Sequence, residues 1–124
     1  MLMYIRSCAG NSSERMVPLL RAPKTIMAER NSENNLNLLY RAILALETVE
    51  ECDRFFYDLC TDTELESISQ RIVVAKMLTE GKVYSDIVKD TGASTATISR
   101  VNRSLKKGKN GYEKVFKKLD EEDK

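Results

Sequence analysis

The sequence has no histidine, and its 124 residues include only two prolines, three cysteines and five glycines. Without histidine it lacks a common zinc ligand and the usual base that activates a nucleophile. The glycines form no phosphate-cradling loop, and a turn-rich β fold needs more glycine and proline. Scattered carboxylates such as Glu64 and Glu66 are better explained as helix-start residues that suit the helix dipole. We therefore expect a helical protein that is not an enzyme.

Long apolar runs are also missing. No stretch approaches the roughly 20 residues of a membrane span, and the opening MLMYIRSCAG has too short an apolar stretch for a signal peptide. The cysteines Cys8, Cys52 and Cys60 are odd in number and show no CxxC spacing, which is typical of small apolar residues in a reducing compartment. We expect a cytoplasmic protein without a membrane partner, a metal or another cofactor.

The net charge of +1 is unevenly distributed along the chain. Residues 82–118 contain ten basic and three acidic side chains, a net of +7, whereas residues 1–81 and 119–124 each have a net of −3. A segment this basic suggests a surface that faces a polyanion, although a solvated helical face is the alternative.

The chain divides into three parts by pattern. Residues 1–34 show no sustained period and predict a disordered or extended arm, residues 35–119 predict one domain, and residues 120–124 predict a solvated acidic tail. Within the domain, capping boxes are predicted at Thr48 with Glu51 and at Thr63 with Glu66, and a left-handed helix end is predicted at Gly81. The helix before Gly81 has a predicted apolar face made of Leu65, Ile68, Ile72, Ala75 and Leu78.

The basic segment predicts a helix-turn-helix. A short helix over residues 83–90, a turn at residues 91–93 and an N-cap at Ser94 precede a helix that continues to about Lys107. On this second helix Ile98, Val101 and Leu105 share one side, and the opposite side carries Ala96, Arg100, Arg103 and Lys107. The alternative is that Gly92 merely ends one helix and that the arginines are ordinary surface cations.

A longer stretch, TDTELESISQRIVVAKMLTEGKVYSDIVKDTGASTATISRVNRSLKKG, resembles the core of the Trp repressor family, and in particular its small YerC/YecD-like branch. The resemblance covers roughly Leu38 to Leu119 and is strongest at GASTATISRVNRSL. It implies an all-α fold of about six helices with a helix-turn-helix, an intertwined homodimer, and a regulator of transcription in the bacterial cytoplasm.

The helical wheel and the resemblance together indicate the candidate site residues. The expected DNA-binding residues are Ser94, Thr95, Ala96, Thr97, Ser99, Arg100, Arg103, Lys106 and Lys107. Of these, Thr95, Ala96, Thr97 and Ser99 match DNA-facing positions of the family, whereas the cations follow from their charge and their place on the helix. In the Trp repressor, tryptophan lies between two arginines, and the matching positions here are Arg71 and Arg100, with Thr61 at a hydroxyl position of the pocket. Tryptophan, another small corepressor and no ligand all remain open, and Arg71 could instead form a salt bridge within the chain or between subunits, for example with Asp62 or Glu64.

Together these features predict a sequence-specific DNA-binding regulator of transcription. It would be a dimeric repressor that reads a pseudo-palindromic operator in double-stranded DNA, with or without a small effector. The alternative is a helical interaction module, or a dimer that binds nucleic acid non-specifically without a regulatory ligand.

Overall fold

The computed structural model describes residues 24–124, which contain six helices and no strand. These helices are α1 (Lys24–Leu44), α2 (Val49–Leu59), α3 (Asp62–Thr79), α4 (Tyr84–Thr91), α5 (Thr95–Lys107) and α6 (Gly111–Glu122). The prediction of an all-α fold is therefore confirmed.

The chain falls into two compact units, and the division lies within α2, between Cys52 and Asp53. In the first unit α1 begins at Lys24, so residues 24–34 of the predicted irregular arm are helical. No proline or glycine interrupts residues 24–44, so their polar composition does not prevent a helix. Residues 1–23 of the arm lie outside the described residues, and the division into arm, domain and tail stays a prediction.

The start of α2 is the predicted capping box. The Glu51 amide donates to Thr48 Oγ1 at 3.1 Å, and the Glu51 carboxylate accepts from the Thr48 amide at 3.2 Å and from the Glu47 amide at 2.7 Å. These bonds satisfy backbone donors that have no partner within the helix.

The capping box predicted for α3 is wrong by two residues. Thr61 Oγ1 accepts from the Glu64 amide at 3.2 Å, and the Glu64 carboxylate accepts from the Thr61 amide at 2.9 Å. The stretch TDTELE contains two overlapping Thr-x-x-Glu motifs, and the helix begins at the earlier one. Because the Thr61 amide, and then the Thr61 side chain, hydrogen-bond to the carboxylate, the pKa of Glu64 is lowered.

The end of α3 is a Schellman motif, as the position of Gly81 predicts. Gly81 has φ +82°, its amide donates to the Leu78 carbonyl at 3.1 Å, and the Lys82 amide donates to the Met77 carbonyl at 3.0 Å. The motif turns the chain sharply into α4.

The core of the second unit lies where α3 packs against α4, α5 and α6, and where α4 packs against α5. Its buried members are Val74, Ala75, Ile87, Ala93, Ile98, Val101 and Phe116. Half-buried side chains surround them, among them Tyr84, Leu105 and Tyr112. The helix-turn-helix is therefore held against α3 by apolar burial.

Only part of the predicted apolar face of α3 faces the core of the unit. Ala75 is buried, but Ile68 and Ile72 are 43% and 42% exposed, and the core position belongs to Val74. At 100° per residue Ile72 lies about 160° from Val74, so α3 has apolar side chains on both sides. One side faces the core of this unit, and the other is exposed in the single chain.

The last helix, α6, extends to Glu122 and includes the first residues of the predicted acidic tail. Asp120 pairs with Lys76 of α3 at 3.1 Å, and the Lys76 ammonium also lies 5.3 Å from the ring centre of Phe116. The first residue of the predicted acidic tail therefore has a basic partner on α3.

Candidate nucleic-acid interface

The turn between α4 and α5 depends on Gly92 and on the side chain of Thr91. Gly92 has φ +72°, a conformation that costs a residue with a Cβ atom roughly 1–2 kcal/mol. The Thr91 hydroxyl donates to the Ile87 carbonyl at 2.6 Å and accepts from the Ala93 amide at 3.1 Å. The helical ladder ends with the Gly92 amide, which donates to the Val88 carbonyl at 2.9 Å, and the Thr91 hydroxyl then gives the Ala93 amide a partner.

The turn is also fixed to α3. The half-buried Gln70 donates from Nε2 to the Thr91 carbonyl at 3.2 Å. A carbonyl at the end of α4 therefore receives a donor from a neighbouring helix, which positions the turn against the rest of the unit.

The N-cap of α5 is Ser94, as predicted. Ser94 Oγ accepts from the Thr97 amide at 3.1 Å and lies 3.0 Å from Thr97 Oγ1. Thr97 is half-buried. Because its hydroxyl lies within hydrogen-bond distance of Ser94, this predicted DNA contact also takes part in the cap. The amides at the start of α5 still present the positive end of the helix dipole to their surroundings.

The two predicted sides of α5 are present in the structure. Ile98 and Val101 are buried and Leu105 is half-buried against the core. The predicted DNA-binding residues that are exposed are Ser94, Thr95, Ala96, Ser99, Arg100, Arg103, Lys106 and Lys107. We call this exposed set the basic face of α5.

The cations of the basic face have no acidic partner in the described part of the chain, where Lys76 with Asp120 is the one ion pair. Arg100, Arg103, Lys106 and Lys107 therefore project four uncompensated positive charges from one helix. This arrangement suits the phosphates of a nucleic acid, which attract such charges over a distance set by the salt concentration.

The groove beside Arg71 does not include the other two predicted ligand residues. Arg71 lines an open groove of about 320 Å³ with Thr63, Glu64, Ser67 and Ile68, and neither Thr61 nor Arg100 lines it. Thr61 instead caps α3, and Arg100 is exposed on the basic face.

Within the chain, Arg71 forms no salt bridge with Asp62 or Glu64 among the described residues, and a bridge between subunits stays a prediction. The Glu64 carboxylate hydrogen-bonds to the Thr61 amide, and Arg71 is exposed. The side chain of Val101, next to Arg100, is buried in the core of its own unit.

Two polar links were missed by sequence reasoning, namely the bond from Gln70 to Thr91 and a bond from Asn102 Nδ2 to Tyr84 Oη at 3.0 Å. A signal for the second exists in the sequence. Asn102 falls at about 40° from Ile98 on the helical wheel, which places a polar side chain within the predicted apolar side of α5.

Three further features of residues 24–124 concern metal-binding groups, free thiols and membrane-spanning helices. They contain no group of three or more cysteine and acidic side chains arranged to hold a metal ion. Cys52 and Cys60 are free thiols and half-buried. Over the same range, every helix is too short or too polar to cross a lipid bilayer.

Comparison with known proteins places this geometry in a family. The sequence profile of the Trp repressor protein matches residues 34–120. The chain belongs to the Trp repressor family. The profile spans α2 to α5 completely and most of α6, so it includes the whole helix-turn-helix.

Relatives within the Trp repressor family are similar over most of their length. The chain is 51% identical over 86 residues to the uncharacterized protein YerC of Bacillus subtilis, covering 69% of this chain and 83% of YerC. A crystal structure of a candidate Trp repressor from Staphylococcus aureus has 49% identity and a TM-score of 0.68, with 70% of this chain and 87% of that one covered. A TrpR-like protein from Eubacterium eligens has 53% identity and a TM-score of 0.68, with coverages of 69% and 89%.

Proposed function

We propose that this protein is a sequence-specific DNA-binding regulator of transcription, a dimeric repressor that acts in the bacterial cytoplasm. The observation that carries the proposal is the two-sided α5, whose apolar side fills the core while small, hydroxyl and cationic side chains occupy the exposed side. Family membership supports the same function.

In the proposed complex α5 enters the major groove of double-stranded DNA with its N-terminus first. The small side chains of Thr95 and Ala96 let the backbone approach the base edges, where methyl groups contact thymine and hydroxyls bond to either strand. Arg100 and Arg103 address guanine or phosphate, and the lysines further along bind phosphates. Thr97 contributes chiefly by holding the start of the helix, because its amide and hydroxyl both engage Ser94.

A second copy of the chain completes the proposed regulator. Ile72 and Val115 line an open, largely apolar groove of about 530 Å³ between α3 and α6, and each is nearly half exposed. Apolar surface of this kind is typical of an interface between subunits. A two-fold dimer would present two copies of α5 to half-sites one helical turn apart, about 34–36 Å, in a pseudo-palindrome.

The effector part of the proposal is carried by Arg71. This exposed guanidinium has no acidic partner among the described residues and borders a groove with Ser67 and Ile68. A small molecule with a carboxylate suits it, since guanidinium binds carboxylate through paired hydrogen bonds. Tryptophan is the first compound to test because of the family, and calorimetric titration of wild type and Arg71→Ala with tryptophan measures its binding directly.

The function is tested by removing one cation from the basic face. Arg103→Ala should weaken binding to the protein's own operator by roughly 1–3 kcal/mol and reduce the preference over a scrambled duplex. Lys118→Ala, which removes one exposed charge from α6, serves as the control and should leave that preference unchanged. The measurement is fluorescence anisotropy with both duplexes at several salt concentrations.

A different outcome would support the non-specific module. If wild type binds operator and scrambled duplex equally, or if Arg103→Ala and Lys118→Ala behave alike on both, α5 does not read sequence. Lys106→Ala gives a further comparison, since losing a phosphate contact should weaken binding to all sequences and reduce the salt slope by about 1.

A further inference from the structure

The side-chain hydrogen bond between α4 and α5 lies at the end of this helix pair away from the turn. Asn102 Nδ2, in the middle of α5, donates to Tyr84 Oη, at the first residue of α4, at 3.0 Å. Both side chains are half-buried, and Tyr84 packs against the core of the second unit. A polar bond therefore crosses an otherwise apolar contact between the two helices.

The position of this bond complements the link at the turn. At the turn, Thr91 ties the last residues of α4 to Ala93 and receives the Gln70 amide from α3. At the other end, the start of α4 has no side-chain cap, because Val83 occupies the N-cap position. The hydrogen bond between Tyr84 and Asn102 thus connects the N-terminal end of α4 to α5.

Apolar packing alone does not determine the angle between two helices closely. Buried side chains of suitable volume tolerate small rotations, whereas a hydrogen bond weakens steeply when its geometry changes. On the helical wheel Asn102 lies about 40° from the buried Ile98, so a hydrogen bond there can select one orientation among those that the packing allows.

We propose that Tyr84 and Asn102 form a positioning pair that fixes the direction of α5, and hence which base edges its exposed side chains reach. The inference rests on the proposed function, because it assigns these residues to the specificity of the same interface. Neither side chain is on the basic face, so their effect on DNA is indirect. Binding to phosphates, which tolerates small rotations of the helix, depends little on the pair.

The test uses Tyr84→Phe in the full chain, which keeps the ring and removes the hydroxyl. Affinity for an operator duplex recovered from the genome should fall roughly three- to tenfold, as expected for one hydrogen bond. Affinity for a scrambled duplex and the salt slope should stay unchanged. Tyr112→Phe is the matched control, since Tyr112 is also half-buried and makes no side-chain hydrogen bond within the described residues.

A double variant separates positioning from general stability. Tyr84→Phe leaves the Asn102 amide without its partner, and adding Asn102→Leu removes that unpaired group from the interface. The double variant should regain thermal stability relative to Tyr84→Phe while its preference for the operator stays reduced. Full recovery of that preference would overturn the proposal, because apolar packing would then suffice to orient α5.

Hydrogen exchange tests the pair without DNA. In Tyr84→Phe the amides of residues 101–107 in α5 should exchange faster than in wild type, while those of α6 should not change. Unchanged exchange in α5, or equal losses of affinity for both duplexes, would overturn the proposal. If wild type shows no preference between duplexes, the proposed function fails, and the exchange measurement then decides by itself whether the pair holds α5.

Discussion

Single residues determine where several helices of this protein begin and end. Gly92 and Gly111 make the clearest contrast, because a Cβ atom would meet no neighbour within 4 Å at either position. Gly92 has φ +72°, whereas Gly111 is the first residue of α6 and has no left-handed φ. The two glycines differ in backbone conformation, and not in the space around them.

This contrast predicts opposite effects of the same substitution. Gly92→Ala should lower the free energy of unfolding by about 1–2 kcal/mol through left-handed strain. Gly111→Ala should raise it by about 0.4–1 kcal/mol, because alanine loses less chain entropy on folding. Urea unfolding at equal chain concentration measures both, and a loss at Gly111 as large as that at Gly92 would contradict the assignment.

The capping carboxylate of α3 predicts a dependence on pH. The folded chain lowers the pKa of Glu64 from its ordinary 4.5, so the charged form stabilises the fold above that value. This contribution should disappear as the pH falls below 4.5 and through the lowered pKa. Glu64→Gln should therefore be less stable than wild type at pH 7, and the difference should shrink in acid.

Thermal unfolding from pH 7 to pH 3 tests this dependence. Glu66→Gln is the control, because the Glu66 side chain is exposed on the same helix and makes no hydrogen bond among the described residues. An equal pH dependence of the two variants would show that the cap at Thr61 does not hold Glu64 in its charged form.

Among the helices, α5 has its N-cap at Ser94, which is also a proposed DNA-binding residue. Ser94→Ala removes the N-cap and should cost about 1 kcal/mol of stability. Ser94→Asp keeps an oxygen acceptor and should be about as stable as wild type, since aspartate caps a helix as well as serine does. On DNA, however, the added negative charge should weaken binding, because the start of α5 enters the groove of a strongly negative duplex in the proposed complex.

Circular dichroism and DNA titration of the same two variants separate these effects. If Ser94→Asp retained both full stability and full DNA affinity, the N-terminus of α5 would not lie at the DNA. The two variants thus distinguish a cap that merely begins a helix from one at the interface.

Much of the helical arrangement is predictable from local patterns. The box at Thr48 and Glu51, the left-handed Gly81 and the cap at Ser94 each depend on residues within four positions of one another, which the sequence shows directly. The sequence contains two overlapping motifs, at Thr61 and Thr63, and the local pattern alone does not determine which of them begins α3. The same reason explains why the bond between Asn102 and Tyr84, 18 positions apart, required the structure.

In the molecule as a whole, the proposed homodimer would give the exposed apolar side of α3 a partner. Sequence periodicity indicated that Ile68 and Ile72 are core residues, and it could not show whether one chain or two provide that core. Because α3 is apolar on two sides, the core of its own unit covers only one of them. The proposed homodimer would cover the other.

A charge placed on that side should dissociate the dimer. Ile72→Asp should raise the dimer dissociation constant on the order of a hundredfold or more, because an unpaired carboxylate would be buried at the interface. Val88→Asp introduces the same charge at a partly exposed apolar position of α4 and should have little effect. Sedimentation velocity over a range of concentrations measures both, and equal behaviour would place the interface elsewhere.

The central claim is that the basic face of α5 reads a DNA sequence. The most direct measurement is to incubate the full protein with fragmented DNA from its own genome at physiological salt and to sequence the fragments that remain bound. A shared pseudo-palindromic motif upstream of a small number of genes, lost when Arg103 is replaced by alanine, is the predicted result. Bound fragments without any common motif, both with tryptophan and without it, would contradict the claim.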